Sequence, residues 1–259
     1  MKFIFKRAVR LAALAAFSFS ITLPSGYSFG PAEGSRTRNT DTAVARLKEL
    51  GIPLQADLSG DVRWIEAKQG ELTDNAMSFL PSLPKLEWLE IGNGILSGTG
   101  MKHLGKCTAL KRLYVHDIDL EGEELEWLKS LTKLEALSLQ RTKIDGKALK
   151  HLNAVDTLKV LNLSENNITD EDMAQVARHK NLEVLALAET KITGTGIKDL
   201  EGMARLNELN IVKCAVFDYD LNTFLTMPNL RIVYAEGCSL SDWAIASVIA
   251  RFPTLAIFR

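Results

Sequence analysis

The amino-acid sequence predicts an α/β fold, one elongated right-handed solenoid shaped as a horseshoe, with a parallel β-sheet on its concave face and helices on its convex face. Three observations predict it. Apolar residues return at a fixed spacing of 24 positions, inside the window of roughly 20 to 50 residues that marks repeat architectures. The leading residues of each unit alternate, as Leu161 and Leu163 do around Val160, Asn162 and Ser164, which is the signature of a strand with one buried face. Farther along each unit apolar residues stand three apart, as Met173 and Val176 do, giving a short helix its inward stripe.

The chain opens on Lys2, Lys6, Arg7 and Arg10, an apolar run over residues 11–23, and small polar residues after Pro24. That order predicts a secretory signal peptide over residues 1–28, cleaved after Ser28, and an exported protein in the periplasm, on the cell surface or in the medium. An uncleaved anchor is the competing reading, but the run has 13 residues where a membrane span needs about 20. After signal removal no span is expected. With no cysteine near the cut, lipoprotein attachment is not expected either. Removing residues 1–28 takes 31 basic against 32 acidic groups to 27 against 32, net minus five. A mildly acidic chain without a basic stripe argues against nucleic acid as a partner.

Residues 29–39 read as a flexible lead-in, and residues 40–61 as an N-terminal helix-hairpin cap. Thr40 or Asp41 caps a helix with Val44, Leu47 and Leu50 on one face and Gly51 as its stop. A strand over residues 52–58 then turns at Ser59-Gly60-Asp61. Without such a cap the first repeat would expose its apolar side.

Repeats fill residues 62–259. Eight full units start at Val62, Leu86, Leu110, Leu134, Leu158, Leu182, Leu206 and Leu230, and a terminal strand is expected from Leu255 after a unit of 25. The eleventh place is aliphatic in every unit, from Leu72 to Leu240. In the unit starting at Leu158, the Asn166 amide at the ninth place can serve buried backbone donors and acceptors where the chain leaves the sheet. Ile168 plugs the interior, and Thr169 caps a helix whose acidic first turn suits the helix dipole. The last strand leaves a sheet edge without polar cover, so a homodimer through that edge is one expectation.

These columns resemble the leucine-rich-repeat family over residues 62–259. The Ile168-Thr169-Asp170 and Ile192-Thr193-Gly194 sequences and the helical second half are similar to its ribonuclease-inhibitor-like and cysteine-containing types, and to many exported bacterial repeat proteins. The ninth place departs from that pattern, running Gly70, Gly94, Ile118, Thr142, Asn166, Thr190, Cys214 and Cys238. The resemblance implies protein–protein recognition and a buried thiol at the ninth place.

In such a sheet the third, fifth and seventh places point away from the core, and equivalent side chains lie about 4.8 Å apart. Trp64, Trp88, Arg112 and Tyr114 then form one patch of the residue types enriched at binding hot spots, with Glu66, Glu90 and His116 beside it. A second reading fits the tryptophans equally: they cover the junction with the cap hairpin, where Leu54 and Leu58 need company. Glu66 and Glu90 could be a carboxylate pair for acid–base work with His116. As ordinary solvated acids they would instead pair with Lys68 or Arg112. No catalytic motif, metal-ligand spacing or cofactor signature is present; His103 and His151 stand two repeats apart, His179 ends a helix, and the glycines around Thr99 and Thr195 start helices. Cys214 and Cys238 stack one strand apart, within alpha-carbon range for a disulfide, although parallel side chains do not point at each other. The function expected is a non-catalytic scaffold for a protein partner. A structural envelope protein that self-associates through the last strand, and a hydrolase-type enzyme using Glu66, Glu90 and His116, are the alternatives.

Overall fold

Inward apolar residues at every fourth and sixth place, leucine in most cases, oblige each unit to lay down one strand, and the backbone joins that strand to equivalent residues of the next. The computed structural model describes residues 37–120 and 125–259; the expected signal segment and residues 29–36 of the lead-in lie outside the described residues. Ten strands stand in chain order in one sheet: β1 (Leu54–Ala56), β2 (Val62–Ala67), β3 (Trp88–Gly92), β4 (Arg112–His116), β5 (Ala136–Gln140), β6 (Val160–Asn162), β7 (Val184–Ala186), β8 (Glu208–Asn210), β9 (Ile232–Tyr234) and β10 (Ala256–Phe258). β1 runs antiparallel to β2. Every later pair is parallel, with residues 24 apart as partners.

The core is continuous from one end to the other. Leu161 is fully buried between Leu137 and Leu185, its partners on the flanking strands. At such a position truncation to alanine costs about 2–5 kcal/mol, because rigid neighbours on both sides cannot close the void. The convex side is built of short pieces. Most units hold four or five residues of α-helix or a 3-10 turn, and only the last, Asp242–Arg251, reaches ten residues. The capping residues do stand at the twelfth place: Thr73, Ser97, Asp145, Thr193 and Ser241 accept from the first-turn N–H groups, and Thr169 shares a capping box with Asp172.

Three local expectations need correction. The cap helix is Arg38–Glu49 with Thr37 as N-cap, so it starts earlier than Thr40 or Asp41. Thr40 is buried instead, its Oγ1 donating to the Ser82 carbonyl at 3.0 Å, which fastens the cap to the first repeat. The cap strand is confined to Leu54–Ala56, because the backbone of Asp57 closes on Asp61 at 2.9 Å and its carboxylate takes the N–H groups of Ser59 and Asp61. The terminal strand is out of the expected phase: Ala256, not Ile257, pairs Ile232, and Phe258 pairs Tyr234. The strand keeps the 24-residue shift of the others, so the expected unit of 25 is not carried into the pairing, and Phe258 faces outward beside Tyr234 rather than into the core.

Candidate functional site

The open face of the sheet is set by the pleat: where Ile65, Leu89 and Leu113 turn inward, their chain neighbours turn out. Trp64, Trp88 and Arg112 are consecutive partners on β2, β3 and β4, as are Glu66, Glu90 and Tyr114, and Gly92 is the partner of His116. All seven residues expected at the patch therefore occupy one surface. The rings of Trp88 and Tyr114 lie 5.8 Å apart, tilted by 58°, a favourable edge-to-face approach. Burial pushes the Tyr114 hydroxyl above its ordinary pKa, against the pull of Arg112 and Trp88. Arg112 itself is exposed and makes no ion pair among the described residues.

The junction reading for the tryptophans is altered by the cap register. Leu54 pairs Ile65 and packs on the core, and Gln55 is the residue opposite Trp64. Leu58 is 63% exposed. Neither leucine needs an indole to cover it.

Glu66 and Glu90 are not loosely solvated acids. Lys68 Nζ lies 2.5 Å from Glu66 Oε1 and 3.3 Å from Glu90 Oε2, and the Glu90 side chain is only 16% exposed. His116 completes the cluster, Nε2 at 3.4 Å from Glu90 Oε1 and Nδ1 at 3.0 Å from Asp117 Oδ2. A neutral imidazole would turn an acceptor nitrogen toward one of the two carboxylates, whereas the protonated ring donates to both. Glu90 most of all, then Asp117, accordingly raises the His116 pKa against the opposing effect of burial. Both Glu90 oxygens and both His116 nitrogens are thus engaged by a neighbour, and Glu66 is held through Oε1 by Lys68. Gly92 makes the arrangement possible, since a Cβ there would sit 2.1 Å from His116 Cε1.

The polar chain continues past the expected residues. Arg141 Nη1 lies 2.6 Å from Asp117 Oδ1, and its Nε 2.7 Å from Glu165 Oε2; Glu165 Oε1 also accepts from Gln140 at 2.8 Å. Asp117, Arg141 and Glu165 all occupy the eighth place, where Asn93, Glu189 and Lys213 stand too, each with positive φ. A second ladder follows the second place, with Asp57, Arg63, Glu87 and Lys111 in successive contact at 2.7, 2.6 and 3.0 Å and Lys159 3.0 Å from Glu135. Alternating sign from Arg63 to Glu183 at the second place, and over Asp117, Arg141 and Glu165 at the eighth, is the signal that would have revealed both. Phe258, stacked on Tyr234 at 5.5 Å, could not be found from the repeat count, because the count placed it one residue out of phase.

The disulfide considered for Cys214 and Cys238 is not formed; both are free thiols, as is buried Cys107. The reason is visible at the ninth place. Cys214 Sγ donates to the Leu187 carbonyl and Cys238 Sγ to that of Ile211, both at 3.1 Å, each carbonyl at the sixth place of the preceding unit. Thr142 and Thr190 donate to the sixth-place carbonyls of their own units, and Asn166 reaches both Leu139 and Leu163. From Thr142 to Cys238 the variety of this column is one function met by several donors, which Gly70, Gly94 and Ile118 do not share. Burial pushes the thiols up, to about 12 for Cys107 and about 11 for Cys238, leaving them poor nucleophiles at neutral pH.

Comparison with known proteins agrees with this architecture. A family model described as Leucine Rich repeat matches residues 157–177, most of the unit that starts at Leu158. This is a leucine-rich-repeat protein. Its fold is similar to the crystal structure of an internalin C2 from Listeria monocytogenes, with a TM-score of 0.61, 19% identity, and coverage of 83% of this chain and 90% of that one. A search of curated proteins gave no match. Among the described residues of the leucine-rich-repeat chain, no helix is long and apolar enough to cross a membrane, and no three of His, Cys, Asp and Glu are grouped to hold a metal ion.

Proposed function

We propose that the protein is an exported, non-catalytic scaffold that binds a protein partner through the N-terminal third of its concave sheet face. The observation that carries this reading is the contiguity of Trp64, Trp88, Arg112 and Tyr114 on successive strands. Two indoles, a phenol and an unpaired guanidinium on a rigid sheet can desolvate a partner with little ordering cost on the scaffold side. The adjoining Glu66, Lys68, Glu90 and His116 neutralise one another and form a polar rim. Export rests on the basic-then-apolar N-terminus, and a non-catalytic role on the mutual engagement of the acids and His116. Capture of partners from the native envelope fraction, with wild-type protein against W64A/W88A/Y114A, tests the reading. The partner is expected to be lost with the triple variant while its thermal midpoint stays near wild type. Equal capture by both proteins would rule the patch out.

The rival is self-association through β10, which has a strand partner on one side only among the described residues. Proline at Ile257 would disperse such an assembly and leave partner capture by the aromatic patch intact.

A further inference from the structure

Along the outward third-place row the side chains read Trp64, Trp88, Arg112, Ala136, Val160, Val184, Glu208 and Ile232. Two of them are charged, with opposite sign, and neither makes an ion pair among the described residues. Arg112 stands exposed at the aromatic end. Glu208 is half-buried between Val184 and Ile232, its strand partners, and burial alone raises its pKa. Arg231, the chain neighbour of Ile232, turns its guanidinium to the carbonyls of Pro228 and Leu230 and lies over the Phe252 ring. Toward the N-terminal end of this surface other charges are matched: Lys68 with both glutamates, Asp117 and Glu165 with Arg141. A desolvated carboxylate without a partner costs stability, so its retention calls for something outside the chain.

Between the two charges the floor is small and smooth, Ala136, Val160 and Val184 on one row and Ser138, Asn162 and Ala186 on the next. Beyond Glu208 a second aromatic pair, Tyr234 and Phe258, is stacked at 5.5 Å with 22° between the rings, and Glu236 is exposed at the rim. The open face is therefore bipolar, cationic and aromatic at one end, anionic and aromatic at the other. Four strand intervals at ~4.8 Å separate the charges by about 19 Å, the reach of about six residues of extended chain.

We infer that the face receives an extended polypeptide segment laid across the strands, with an acidic side chain at Arg112 and a basic one at Glu208, about six residues apart. This deepens the proposed function and rests on it. The small floor admits a main chain where bulkier side chains would hold it off. The two aromatic pairs take apolar residues flanking the charged ones. Matching one half-buried carboxylate with a cation and one exposed guanidinium with an anion makes the contact selective for charge order as well as composition.

Selection of a random twelve-residue phage-displayed peptide library on wild-type protein, with counter-selection on W64A/W88A/Y114A, tests this. Selected peptides are expected to carry an acidic and a basic residue five to seven positions apart. R112E or E208R should weaken them about tenfold or more, and the double swap R112E/E208R should select the opposite charge order. Circular dichroism and the thermal midpoint of each variant confirm that it is folded. Peptides that depend on the aromatic residues but show no charge spacing, or bind the swapped protein equally, overturn the inference and leave the concave reading standing. A library yielding no peptide dependent on the aromatic residues contradicts both.

Discussion

Asn166 shows how one side chain can hold a bend. Its Nδ2 reaches the carbonyls of Leu139, Leu163 and Ser164, and its Oδ1 accepts from the Thr142 and Ile144 N–H groups at 3.1 and 3.2 Å. Asn166→Ala strands these buried groups and should cost about 3 kcal/mol by urea denaturation. His179 is the opposite case, 3% exposed with neither ring nitrogen hydrogen-bonded, at a place that holds Met203 and Met227 in the next units. Burial lowers its pKa, so its contribution to stability is present above pH ~6.5 and lost as pH falls toward the folded-state value. His116, whose pKa is raised, contributes fully below pH ~6.5 and loses its contribution as pH rises through the folded-state value. Urea midpoints from pH 5 to 9 check both: the gain from His179→Met should grow toward acid, and the loss from His116→Gln should shrink toward alkali. Three titratable thiols in denatured, unreduced protein are expected from Cys107, Cys214 and Cys238.

At the scale of the element, the turn off each strand is the feature least legible in the sequence. The eighth place is left-handed from Asn93 to Lys213, with φ between 52° and 59°, a conformation costing a residue with a side chain about 1–2 kcal/mol. Asn93, Asp117 and Gly237 in this column are of the types that favour the conformation, but nothing in the composition of Arg141, Glu165 or Lys213 announces it. The strands and their facing were legible, since alternation over Leu161 and Leu163 admits one register. Pairing along the surface was legible in part: Lys68 was one of the two partners expected for Glu66 and Glu90, but the choice of Lys68 over Arg112 and the further contact of Glu90 with His116 depend on rotamers that spacing does not fix. The glycines after Ser97 and Thr193 illustrate the same limit. Gly100 lies against Asp74 of the preceding unit, where a Cβ would fall 2.1 Å from Oδ1, and Asp74 holds the Ser97 N–H at 2.9 Å. Helix initiation alone does not explain it. Gly92→Ala should push the His116 ring off its two carboxylates and lower its pKa toward the ordinary value, readable by proton NMR titration of the imidazole.

For the whole molecule, unit-to-unit pairing with one 24-residue shift makes position in the sequence a coordinate on the surface. Stability is then close to a sum of neighbouring interfaces, with charge ladders adding roughly 0–1 kcal/mol per exposed pair. The same surface offers two aromatic groups that compete as docking sites. Trp64, Trp88 and Tyr114 line the sheet face; Phe217, Tyr219 and Trp243 lie at the starts of the last two convex segments, where Tyr219 is 74% and Trp243 79% exposed. Exposure alone favours the second group. Rigidity, the neighbouring unpaired Arg112 and the polar rim favour the first. Hydroxyl-radical footprinting of the protein, alone and saturated with its captured partner, decides between them. Protection of Trp64, Trp88 and Tyr114 with Trp243 and Tyr219 unchanged is the predicted result; protection of Trp243 and Tyr219 with the sheet-face tryptophans unchanged would contradict it.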